Sequence, residues 1–158
     1  RHGGEAEFKK LLAMHNHTSS SEERLNLTAA LTTFRQPEII QKALQLINSD
    51  NVRLQDVLYW VVYSFMNRHA KELTWEWMTR NWKWLEDNLG NDPAFYRFPV
   101  YAARAFSEES FLPIYKKFFA KVNNPGLERS INQGMDMIEW QSAWKARDLK
   151  LIKAYFSS

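Results

Sequence analysis

The chain has 158 residues, one domain's worth, and its 45% hydrophobic residues and seven tryptophans demand a packed core and exclude a disordered chain. Twenty-one basic and eighteen acidic residues are interspersed, leaving a net charge of +3 without the basic stripe of a nucleic-acid binder. The lack of cysteine excludes disulfides, thiolate metal sites and a cysteine nucleophile, and no apolar run approaches the ~20 residues of a membrane helix.

The apolar period is helical throughout. Ser20 followed by Glu23 reads as a capping box opening a helix with Leu27, Leu31 and Phe34 on one side. Gln36-Pro37 places proline where a first turn begins, ahead of Ile40, Ala43, Leu44 and Ile47. Leu54, Val57, Leu58, Val61, Val62 and Phe65 form a stronger stripe, led in by Arg53, Gln55 and Asp56. Arg53 and Asp56 are three residues apart, the spacing of a helical ion pair, and we expect this trio to fix how the helix meets the core.

The spacing then predicts one long helix over about Lys71 to Leu89, with Trp75, Met78, Trp82, Leu85 and Leu89 on one line and Leu73, Trp77 and Trp84 on another. Gly90 is expected to end it in a left-handed conformation. Asp92-Pro93 opens a helix carrying Arg97 and Arg104, and Ser107 is expected to cap one running from Glu108. Phe111, Tyr115, Phe118 and Val122 line that helix, with Leu112 and Phe119 beside them. Asn124-Pro125 starts the last part, in which Ile131, Met135 and Ile138 precede Leu149, Ile152, Tyr155 and Phe156. The fold class expected is all-α: about nine antiparallel-paired helices of 12–20 residues in a layered α/α superhelix, forming a single helical domain over 1–158.

Motifs for chemistry are missing. The histidines His2, His15, His17 and His69 include no His-Glu-x-x-His pair, and His15, His17 and His69 are expected at exposed positions. No Gly-x-Ser-x-Gly and no phosphate-binding glycine loop occurs. Arg97 and Arg104 are expected on one helix, seven apart and so on one face. With Lys116 or Lys117 they would offer positive charge to a carboxylate, or they are solvated helix charges.

A family resemblance enters at Asn51-Val52-Arg53-Leu54-Gln55-Asp56. Together with Gln36-Pro37-Glu38-Ile39-Ile40 through Leu46, Trp75 to Trp82, Phe106-Ser107-Glu108-Glu109 through Phe118-Phe119, and Met135 to Phe156 with Trp144, it resembles the C-terminal domain of the M1 zinc aminopeptidases, the aminopeptidase N and puromycin-sensitive group. The resemblance runs in order from about Glu22 to Phe156. It implies a HEAT-like helical domain that caps a catalytic domain and helps enclose a chamber for peptide substrates. The zinc and its ligands would lie in that catalytic domain, upstream in the same polypeptide. A chain starting at Arg1 is then expected to be the C-terminal part of that larger helical domain, without catalytic residues, cofactor, nucleic-acid or membrane contact of its own. Apolar residues such as Phe8, Leu11 and Leu12 would be uncovered by truncation and favour self-association. A cytoplasmic location is expected, in keeping with the missing cysteine. Two other readings stand beside this one: a stand-alone α-solenoid that binds a protein or peptide, and a single-strand nucleic-acid binder that stacks bases on its aromatics.

Overall fold

The computed structural model describes residues 3–156. Among them are nine α-helices and no β-strand, which makes the fold all-α. The chain divides into two compact units, residues 1–95 and 96–158.

The first unit opens with α1 (Glu5–His17), α2 (Ser21–Leu31) and α3 (Pro37–Leu46). At one end of the first pair Arg24 donates to the carbonyl of His15 (2.8 Å), and at the other Gln36 donates to the carbonyl of Gly3 (2.9 Å), so α1 and α2 run antiparallel. Phe34 lies past the end of α2 and meets Phe8 edge to face at 5.6 Å. Phe8 is therefore buried, against the expectation of an uncovered position, while Leu11 and Leu12 are half-buried. Ser20 caps α2 by accepting from the Glu23 N–H, but the Glu23 carboxylate turns to the Thr18 hydroxyl, so only half of the expected box forms. Pro37 occupies the first turn of α3 as its missing N–H allows, and Ile40, Ala43, Leu44 and Ile47 are all buried.

A 3-10 turn over Leu54–Asp56 leads into α4 (Val57–Met66). Leu54 is exposed, whereas Trp60, outside the expected stripe, is fully buried with Val57 and Val61. The helix α4 packs against α2 on one side and α5 (Lys71–Arg80) on another. Asn67, just past α4, donates to the carbonyls of Thr32 and Phe34, pinning the α2–α3 connection.

The expected helix from Lys71 to Leu89 is two helices, α5 and α6 (Trp82–Leu89). They break at Asn81, whose side chain donates to the carbonyl of Trp77 and accepts from Asn48 (3.2 Å), an alternative to the helical ladder that short amides offer the backbone. Gly90 is right-handed (φ −58°), not left-handed. A β-carbon there would lie 2.4 Å from the Glu86 carbonyl oxygen, so glycine serves close approach rather than handedness.

The second unit contains α7 (Phe98–Arg104), α8 (Phe111–Phe119) and α9 (Glu128–Phe156). Asp92 receives the Ala94 N–H in the turn before it, but α7 starts only at Phe98, after a 3-10 turn over Phe95–Arg97. Ser107 does not cap α8, which begins at Phe111; its hydroxyl instead accepts from Lys145. Asn124 accepts from the Gly126 N–H and Pro125 opens the final turn, as expected. The whole of the last part, from Glu128 to Phe156, is the single 29-residue α9. Its first half packs on α7 and α8, whereas Leu149, Ile152, Tyr155 and Phe156 are exposed. Apart from α9 and the 13-residue α1 the helices have 7–11 residues, shorter than the 12–20 expected of most.

Candidate functional site

The second unit is held together around one phenol. Tyr115 of α8 is fully buried, and its hydroxyl donates to the carbonyl of Pro99 in α7 (3.2 Å) and lies 3.4 Å from that of Ile131 in α9. Burial pushes its pKa well above the ordinary value of 10, so it stays a neutral donor. Gly134 makes this approach possible: a β-carbon there would sit 2.1 Å from the hydroxyl oxygen and 3.2 Å from the Pro99 carbonyl oxygen. Nearby, Gln141 of α9 donates to the carbonyls of Ala103 and Phe106 (both 3.1 Å), satisfying acceptors at the open end of α7.

These contacts shape a groove between α7 and α9 lined by Arg104, Gln133, Asp136, Met137, Trp140 and Gln141. Arg104 is exposed and lies 5.7 Å from the centroid of the Tyr101 ring, within cation–π range. Trp140 and Trp144 stack along α9 with centroids 6.4 Å apart, and Trp140 forms part of the groove wall. The groove thus combines a cation, a carboxylate, an amide pair and an apolar wall. That set can receive a ligand carboxylate on Arg104 with Gln133 on the groove wall, while the N–H groups of Gln141 are already given to Ala103 and Phe106.

Of the four expected cations, Arg104 alone lines this groove. Arg97 caps α7 from the 3-10 turn rather than sharing the helix with Arg104, so the assumption of a common helical face fails. Lys116, on α8, faces Glu139 of α9 at 3.7 Å, and Lys117 is exposed on the same helix; neither lines the groove. Gln133, Asp136 and Trp140 were not singled out in the sequence, where nothing but their shared helical spacing connects them to Arg104.

In the first unit Arg53 donates to Asp56 at 2.6 Å, and Gln55 is exposed between them. The ion pair is in place at the foot of α4.

The histidines divide. His17 and His69 are exposed as expected, and His2 lies outside the described residues. His15 is instead buried, edge to face with Trp60 at 5.5 Å. Desolvation lowers its pKa below 6.5, partly opposed by a contact to Asn16, with Arg24 lowering it further. Among the described residues no group of three or more histidine or carboxylate side chains gathers where a metal ion would fit. No helix among them is long and apolar enough to cross a membrane.

Comparison with known proteins adds to this geometry. The family model described as ERAP1-like C-terminal domain matches residues 1–139. The chain is similar to aminopeptidase N of Lactococcus lactis subsp. cremoris (strain MG1363), 32% identical over 123 residues, which are 77% of this chain and 14% of that protein. It is also similar to aminopeptidase M1 of Arabidopsis thaliana, 25% identical over 137 residues (87% and 15%), and to aminopeptidase 2 of Candida albicans (strain SC5314 / ATCC MYA-2876), 27% identical over 154 residues (96% and 17%). The chain therefore spans about a sixth of the length of these relatives.

Proposed function

The chain belongs to the ERAP1-like C-terminal domain family, and from that membership we propose that it is the non-catalytic C-terminal part of a zinc aminopeptidase that removes N-terminal residues from peptides. In this reading it caps the catalytic domain and walls the chamber that receives the peptide, and its first partners are upstream domains of the same polypeptide. The observation that carries the reading is the family match over residues 1–139, joined to an all-α fold. In this reading the zinc and the water it activates belong to the catalytic domain, and no chemical step is assigned to this chain.

Within that role the groove at Arg104 holds the far end of a peptide whose N-terminus is in the catalytic domain. The test places Arg104→Ala in the full-length polypeptide and compares peptides of increasing length. Loss of a charge-assisted contact lowers kcat/KM by about tenfold for peptides long enough to reach the groove. Dipeptide-sized substrates are unaffected. An unchanged length profile removes the groove's role. Hydrolysis by the isolated 158-residue chain, or a full-length polypeptide with no aminopeptidase activity, overturns the proposal as a whole.

A further inference from the structure

Beside Arg104 the groove between α7 and α9 holds a second charge that the carboxylate leaves unused. Asp136 is exposed and lines the same groove, yet it does not close on Arg104 as an ion pair. Among the described residues no other charged side chain meets it. Arg104 has the Tyr101 ring beside it and no acid. Elsewhere on the surface neighbouring opposite charges do close on each other, as Lys83 and Asp87 do on α6 and Lys116 and Glu139 do between α8 and α9. The groove thus keeps one positive and one negative group apart, which is the complement of a ligand that carries both signs.

The apolar wall says what joins the two signs. Asp136 and Trp140 are four residues apart on α9, so they stand one above the other on one helix face. Trp140 is 66% exposed, and Met137 lines the groove with it. A long basic side chain laid there puts its methylene stem on the indole and its cation at the Asp136 carboxylate, with cation–π attraction added. The far side of Asp136 does not oppose a cation. The next depression along α9 shares Gln133 and Asp136 and sets Glu128 and Asp136 against the single cation of Arg129. The groove has a volume of about 630 Å³, which takes the last one or two residues of a peptide. One residue brings both charges only at the carboxyl end, where a basic side chain and the terminal carboxylate share an α-carbon. An internal basic residue would leave Arg104 empty, and a terminal acidic residue would bring a second carboxylate against Asp136.

We propose that the groove selects peptides whose last residue is lysine or arginine, with the terminal carboxylate on Arg104 and the side-chain cation on Asp136. This rests on the reading that the groove holds the far end of a peptide substrate. The test uses the full-length polypeptide and peptides of one length, long enough to reach the groove and identical but for the last residue: lysine, norleucine, glutamate, or lysine closed as the amide. Norleucine keeps the straight stem and removes only the charge. The lysine peptide has a kcat/KM about fivefold above the norleucine peptide, the effect of one partly screened charge pair, and the glutamate peptide is lowest. Asp136→Asn makes the lysine and norleucine peptides equal, and Asp136→Lys reverses the order, so that glutamate is favoured over lysine. Equal rates for lysine and norleucine with the wild-type chain overturn the proposal. So does a lysine preference that Asp136→Asn leaves intact. The amide separates this failure from that of the underlying reading. Rates that fall on amidation while lysine and norleucine stay alike overturn only the preference for a basic residue and leave the carboxyl end in the groove. Rates indifferent both to amidation and to the last side chain overturn the two together.

Discussion

Two buried polar side chains, one in each unit, received opposite treatment. Tyr115 in the second unit is fully enclosed and gives its hydrogen to the Pro99 carbonyl. His15 in the first unit is 1% exposed, yet among the described residues its Nε2 finds no hydrogen-bond partner and its Nδ1 has only a 3.4 Å contact to Asn16. The indole N–H of Trp60, the ring it packs against, is likewise unpartnered among the described residues. A satisfied buried donor fixes three helices in one arrangement. An unsatisfied one is tolerated only while it stays uncharged, because an isolated charge in that place would be far more costly. The region around Tyr115 should therefore be sensitive to shape and the region around His15 to acid.

The sharpest way to break the first half of that contrast is Gly134→Ala. The new methyl group would overlap the Tyr115 hydroxyl, so the phenol must move and give up its partner. Overpacking and the lost bond together cost about 3 kcal/mol, seen in chemical denaturation as a lowered midpoint at constant slope. Adding Tyr115→Phe to this variant should recover part of the loss, a non-additivity expected only if the two residues share one space. Tyr115→Phe alone leaves the Pro99 carbonyl without its donor and should cost about 1–2 kcal/mol. If Gly134→Ala is silent, the close approach of α8 and α9 is not as described.

The second half is tested with pH. The folded-state pKa of His15 lies below its ordinary 6.5, so the unfolded chain binds the proton more readily. Its contribution is then fully present above about pH 6.5 and is lost as pH falls below that value toward the folded-state pKa. A melting-temperature series from pH 7.5 to pH 5 should decline, and His15→Phe, which keeps a ring against Trp60 and removes the titration, should flatten it. An equal decline in both proteins would assign the acid sensitivity to other groups.

The same contrast explains what was legible beforehand. Helix starts at Pro37 and Pro125 depend on local chemistry, a missing N–H and a capping side chain, and both are where their dipeptides place them. The all-α class followed from apolar spacing, which each helix carries within itself. The break at Asn81 depends on Asn48, thirty-three positions away. The burial of His15 depends on Trp60, and the need for glycine at 134 on Tyr115. None of these leaves a mark in its own neighbourhood, except that a glycine inside a helical pattern deserved a packing explanation. The groove was legible only in part, for the same reason. Arg104 was visible as an exposed helical cation, but Asp136, Trp140 and Gln141 joined it only through the packing of α9, and Lys116 was taken up by Glu139.

The smallest expected effect concerns the Arg53–Asp56 pair, which stands at the foot of the most apolar helix but is not buried with it. Its geometry is good, at 2.6 Å, but the arginine side chain is 44% exposed while the aspartate is 16% exposed. Water and salt therefore screen it, and such pairs are worth about 1 kcal/mol or less. Arg53→Ala should cost about that much, and less in high salt. Asp56→Ala should cost slightly more, since the acid also sits at the start of α4 where the helix dipole favours it. A double-mutant cycle separates the two contributions: the coupling is the pair itself, and the excess in Asp56→Ala is the dipole. A coupling above about 2 kcal/mol would mean that the pair is shielded from solvent, as something packed over the exposed Gln55 would make it.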